Sequence, residues 1–139
     1  MSTLRTNALE GVDAKNSITI VAGTGNVTTT NVQEGLCKSW INFDSSIATI
    51  IDSFNIGSIS DNGTGDFDVN VNNPMGNITW CPTGSCGPHV GTSNNVGVSF
   101  QHESSPLTTT RMRVVTRRRD NNTDQDVDHC YVHVMGDLA

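Results

Sequence analysis

A chain of 139 residues is the size of one packed domain with a short extended segment, and a large two-domain enzyme is not expected from it. Apolar residues make up 35% of the chain, with five leucines against an abundance of Val, Ile, Thr, Asn, Gly and Ser, which is the vocabulary of strands and turns. A formal net charge of −6 speaks against a nucleic-acid partner, and no apolar run approaches the roughly 20 residues of a membrane-crossing helix, so no membrane insertion is expected either.

Residues 1–34 are rich in Asn, Thr and Gly, with one apolar run at Ile18-Thr19-Ile20-Val21. Such a segment cannot bury enough surface to fold alone, so it is expected to be an extended arm carrying one or two short strands and ordered by partners. The opening Met1-Ser2-Thr3-Leu4-Arg5-Thr6-Asn7 lacks the apolar core of a signal peptide, which predicts synthesis in a cytoplasm.

From Gly35 the pattern changes. Leu36 to Phe43 alternates with period two, which puts Cys37, Ser39, Ile41 and Phe43 on one face of a strand and Lys38, Trp40 and Asn42 on the other. A β-branched run from Ile47 to Phe54 leads through Asn55 to Ser60 into Asp61-Asn62-Gly63-Thr64-Gly65-Asp66. There the Asn-Gly pair predicts a hairpin turn, with Phe67, Val69 and Val71 inward on the return strand. After Pro74 the chain reads as loop through Trp80-Cys81-Pro82-Thr83-Gly84-Ser85-Cys86-Gly87-Pro88-His89. Alternation resumes at Val96, Val98 and Phe100 and continues in Leu107 to Thr116 and Val127 to Met135. About seven short strands predict an all-β fold, an antiparallel β-sandwich or jelly-roll-like domain over residues 35–139 preceded by the extended N-terminal arm. The basic run Arg111, Arg113, Arg117, Arg118 and Arg119 precedes Asp120, Asp124, Asp126 and Asp128, and these charges are expected to partner each other or neighbouring chains.

Three stretches carry a resemblance: Gly35, Lys38, Trp40, Ile41, Asn42 and Phe43; then Ile50, Asp52, Ser53, Phe54 and Asn55; then Ser58, Ile59, Asp61 to Phe67 and Val69. In this spacing the block from Gly35 to Val71 resembles a β-rich domain at the C-terminal end of tail-fibre-like proteins of tailed bacteriophages, especially those of marine cyanobacteria and related hosts. The resemblance implies a virion structural protein, a tail-fibre or similar appendage subunit with a role in host attachment. It further implies a homotrimer joined to other virion proteins through the N-terminal arm. A capsid-surface fibre, a decoration or adaptor protein, and a carbohydrate-cleaving appendage are the alternatives. That family is defined by fold and virion context, so no catalytic residues carry over and no enzyme is expected.

Candidate chemistry is sparse. Cys81 and Cys86 with His89 offer three zinc ligands, a local disulfide or free thiols, and without an export signal free thiols are the default; no cofactor is expected. Cys37 and Cys130 fall on the apolar sides of their strands and are expected to be buried and reduced. His129 and His133 flank Tyr131 on one strand face, as a polar face or as ligands on a symmetry axis. Alternating Asp124, Asp126 and Asp128 lack the glycine turn and distal glutamate of an EF-hand. No nucleophile elbow, phosphate loop or His-Glu-x-x-His element is present. Contact with a receptor, such as a host-surface glycan, or with other subunits is therefore expected on the loops Thr79–Asn95 and Arg117–Asp128, through Trp80, His89, Arg117, Arg118 and Arg119. The trimer is directly measurable: light scattering of the purified chain is expected to return three times the monomer mass, and a folded monomer at micromolar concentration would count against it.

Overall fold

The computed structural model describes residues 19–22, 28–31, 35–87, 95–100 and 106–138. The chain divides into two units, residues 1–36 and residues 37–139. In the first unit β1 (Thr19–Ala22) pairs antiparallel with β2 (Thr28–Asn31), Thr19 opposite Asn31 and Ala22 opposite Thr28. A ribbon of two four-residue strands is at best marginally stable alone.

The second unit is an all-β sandwich. Its strands are β3 (Ser39–Asp44), β4 (Thr49–Phe54), β5 (Ile56–Gly63), β6 (Asp66–Val71), β7 (Cys81–Cys86), β8 (Val96–Phe100), β9 (Arg111–Arg118) and β10 (Cys130–Met135). They form two four-stranded antiparallel sheets, ordered β4-β3-β10-β7 and β5-β6-β9-β8. The chain crosses between the sheets after β4, β6, β7 and β9. After β7, β8 and β9 it returns to place β10 beside β7, a Greek-key path.

The alternation read from the sequence sets the inner faces. Ser39, Ile41 and Phe43 of β3, Phe67, Val69 and Val71 of β6, and Cys130, Val132 and Val134 of β10 are all buried. Phe43 and Phe67 meet edge to face between the sheets, ring centroids 5.4 Å apart. Met112 and Val114 of β9 complete the inner layer. Val127, ahead of β10, is held by Ser45, whose hydroxyl accepts from its N–H at 2.6 Å and donates to its carbonyl at 2.9 Å.

The structure differs from expectation in four places. The hairpin turns at Thr64-Gly65, not at Asn62-Gly63: Gly63 lies opposite Asp66, and a register shift after Asp61 leaves Asn62 as an extra residue. Gly65 takes φ +66, and a β-carbon there would lie 2.4 Å from the Thr116 carbonyl oxygen, so backbone packing against β9 selects the glycine at this turn. Residues 81–86 form a strand rather than a loop. With Gly87 N–H donating to His129 O, alternate residues of β7 face β10 with their donors, and Pro82, lacking one, faces away from it. A proline is tolerated because β7 ends its sheet. The polar segment after β9 begins later than expected, since β9 runs through Arg117 and Arg118. Finally, Cys37 is exposed, because the strand starts at Ser39 and Lys38 is the residue buried ahead of it.

Asn55 makes the corner where β4 passes into β5. It holds φ 57, its Nδ2 donates to the Lys38 carbonyl at 3.1 Å, and its Oδ1 accepts the Asn73 N–H at 2.8 Å. One side chain thus ties the approach to β3, the sheet crossing and the end of β6. Asn55→Ala removes both bonds and leaves a β-carbon in the left-handed region, so it is expected to cost about 2 kcal/mol. Asn55→Gly relieves the backbone and should cost about half as much, both read from urea unfolding.

Candidate binding face

The two outer faces of the sandwich differ in chemistry. On the β5-β6-β9-β8 sheet, Asp66 and Asp68 of β6 alternate outward towards Arg113 and Arg111 of β9. Arg113 grips Asp66 through two of its nitrogens and lies 3.9 Å from Asp68, which Arg111 reaches at 3.4 Å. The bond from Asp66 raises the Arg113 pKa further above its ordinary value. Arg117 pairs with Asp124 and Arg118 with Asp120, each at 2.5 Å, and the Arg118 bond holds the Asp120 carboxyl below its ordinary value. Arg117 and Arg118 thus meet the acidic segment that follows them, as expected from the sequence, whereas Arg111 and Arg113 are partnered by Asp66 and Asp68 of β6 instead. The Arg119 side chain lies over Gly97, its Nε 2.7 Å from where a β-carbon would stand. With Gly97, Val98, Ser99 and Asn122 the three arginines line an open depression.

Of the remaining residues expected to make contacts, Trp80 is 4% exposed, and its indole N–H donates to the Thr108 carbonyl at 3.0 Å. The residue is part of the core, and Gly136 packs against its Cα and Cβ. His89 lies outside the described residues. Cys81 and Cys86 stand at opposite ends of the six-residue β7 and, at a rise of about 3.3 Å per residue, are roughly 16 Å apart. They also point to opposite sheet faces, so they cannot hold one ion or bridge each other. Asp124 is engaged by Arg117, and Asp126 accepts the Gly65 N–H at 2.7 Å.

The outer face of the β4-β3-β10-β7 sheet is built differently. Cross-strand register places Phe54, Trp40, His133 and Thr83 in one row across all four strands. Asp52, Asn42, Tyr131 and Ser85 form the next row, two residues along and so about 7 Å away. Phe54 is 54% exposed, Tyr131 43% and Trp40 37%. Thr83 Oγ1 and His133 Nε2 lie 2.6 Å apart, and the His129 ring stacks parallel to Tyr131 with centroids 5.8 Å apart. A bulge at Ile51 in β4 pushes a further apolar side chain towards solvent.

This face offers partly exposed rings beside a carboxylate, an amide, hydroxyls and imidazoles. Aromatic rings take up the C–H faces of sugars or apolar side chains, while the polar row can accept and donate hydrogen bonds. The sequence placed Trp40 and the His129-Tyr131-His133 set on the outer sides of their strands. It gave no sign that β3 and β10 are neighbours, and that adjacency is what joins the residues into one surface.

Searches against protein-family models, curated proteins and solved structures find no match to this chain.

The two tryptophans allow a direct check of this surface. Trp80→Phe is expected to leave a red-shifted emission from Trp40 that acrylamide quenches readily. Trp40→Phe should leave a blue-shifted, protected emission from Trp80. Equal quenching of the two variants would contradict the burial described here.

Proposed function

We propose that this chain is a non-catalytic structural subunit of a bacteriophage virion, in a tail fibre or similar appendage, which contributes to host attachment by surface contact. The observation that carries surface contact is the exposed row of Phe54, Trp40 and His133 flanked by Asp52, Asn42 and Tyr131. It extends laterally across four strands, which suits a repeating ligand such as a host-surface glycan, whose sugar rings stack on the aromatic row while their hydroxyls meet the polar row. The partner surface therefore moves, in this reading, from the loops to a sheet face. Residues 1–34 join the subunit to a homotrimer and to other virion proteins.

The resembling block supports the same reading, because its residues fall into intelligible roles in the sandwich. Ile41, Phe43, Phe67 and Val69 fill the core, Asn55 forms the crossing corner, Gly65 fits the tight hairpin, and Trp40 stands on the outer face. A block built of core, corner and turn residues specifies a scaffold, in keeping with a domain whose role is mechanical and adhesive.

Particles carrying Trp40→Ala together with Phe54→Ala are expected to assemble normally and to adsorb to host cells at least about tenfold more slowly, the loss of roughly 1.4 kcal/mol of contact. Arg117→Ala, on the other side of the molecule's charge pattern, should leave adsorption unchanged. Parental adsorption by the double aromatic variant would remove the sheet face from host attachment. Absence of the chain from purified particles by mass spectrometry would remove the virion reading itself.

A further inference from the structure

The four cysteines allow several pairings, and the sheet geometry discriminates among them. Cys81 and Cys86 are separated by the length of β7. Cys37, ahead of β3, and Cys81, at the start of β7, flank β10 on opposite sides, about two strand spacings or 9.6 Å apart, beyond the reach of a disulfide. Cys130 is different: it lies directly opposite Cys86 on the neighbouring antiparallel strand. Gly87 N–H donates to His129 O at 2.8 Å, which makes residues 87 and 129 a hydrogen-bonded pair and Cys86 with Cys130 the adjacent non-hydrogen-bonded pair. In such a pair the Cα atoms are about 4.5 Å apart and the side chains share one face, within the 4.4–6.8 Å range of natural disulfides. That face is the inner one, with Cys130 fully buried and Cys86 partly buried against the same core.

We propose that Cys86 and Cys130 form an oxidisable pair, closed to a cross-strand disulfide by a small-molecule disulfide such as oxidised glutathione, which staples β7 to β10. The Cys86 thiolate attacks one sulfur of the oxidant and expels the other half as a thiolate, giving a mixed disulfide on Cys86. The Cys130 thiolate then attacks Cys86 Sγ and expels the second small thiolate. Two electrons pass from the protein sulfurs to the oxidant, and the two protons end on the released thiols. Cys86 is the entry point because it is the more exposed of the pair, and the guanidinium of Arg119 partly offsets the effect of burial on its thiol. Burial first, and the nearby Cys86 second, push the Cys130 thiol up to about 12, so the closing step is slow at neutral pH and quickens as pH rises.

The staple acts on an edge strand. β7 has a hydrogen-bonded neighbour on one side only, and its sequence contains both Pro82 and Gly84. A bond from residue 86 to residue 130 closes a long covalent loop, the case in which a disulfide removes most freedom from the unfolded chain.

The test uses the full chain, reduced and then incubated with oxidised glutathione at pH 8.5. Non-reducing peptide mapping is expected to recover a peptide joining Cys86 to Cys130, two hydrogen atoms lighter than the sum of its two reduced halves. Cys37 and Cys81 should instead carry glutathione or remain free. The closed form should melt at least about 5 °C above the reduced form, and Cys86→Ser, which folds without needing a partner thiol, should abolish that difference. A linked Cys81–Cys86 peptide, or glutathione retained on Cys86 without closure after prolonged incubation, would overturn the proposal.

Discussion

Phe43 and Phe67 meet edge to face at the centre of the sandwich, one from each sheet, and both are fully excluded from water. Burying these two aromatic rings supplies several kcal/mol of hydrophobic stabilisation in a core whose other members are mostly aliphatic, and their edge-to-face contact adds about 0.5–1.5 kcal/mol. The contact also fixes facing. In a strand, every second side chain points the same way, so committing Phe43 inward commits Ile41 and Ser39 with it and sends Trp40 and Asn42 outward. The outer aromatic row is thus a by-product of the core: a one-residue slip of β3 would bury Trp40 and expose Phe43.

The contrast between the two outer faces follows from the same constraint. Arg111 and Arg113 are committed outward because Met112 and Val114 are committed inward, and Asp66 and Asp68 are outward because Phe67 and Val69 are not. There the outward positions hold complementary charges, which close the surface with ion pairs of modest stabilising value, about 0–1 kcal/mol each where exposed. On the other sheet the outward positions hold rings and imidazoles. These rings remain substantially exposed, so they contribute little to folding.

How far the sequence was legible depends on how local each determinant is. The facing of β3, β6 and β10 was readable because period-two alternation is carried by five or six consecutive residues. β7 was not, because Cys-Pro-Thr-Gly-Ser-Cys has the composition of a turn, and its strand conformation is imposed from outside by pairing with β10. Gly84 is accepted in that strand because the Tyr131 carbonyl and the Phe100 ring approach too closely for a β-carbon. The hairpin was placed two residues early for a related reason. Asn62-Gly63 is the stronger local signal, but Gly65 alone fits the space left by Thr116 and Gln125, residues far along the chain. The candidate face was legible strand by strand and illegible as a surface, since it depends on pairing residues 39–43 with 130–134. Trp80, which reads as a loop aromatic, packs into the core, where the distant Thr108 carbonyl satisfies its indole N–H in a way that no local pattern announces.

The bulge in β4 carries a consequence for how copies of this molecule meet. β4 ends its sheet, and with Ile47, Ile51 and Phe54 exposed on or beside it, an unbroken edge there would be a template for strand addition from another molecule. The register shift opposite Asn42 and Phe43 interrupts the even spacing of backbone donors and acceptors along β4. At its far end the strand turns directly through Asn55 into the other sheet, which shortens the free edge further. An incoming strand can therefore bond to only a few consecutive residues before the ladder fails. The bulge thus limits how far strand addition can run along β4, the edge beside these exposed apolar side chains.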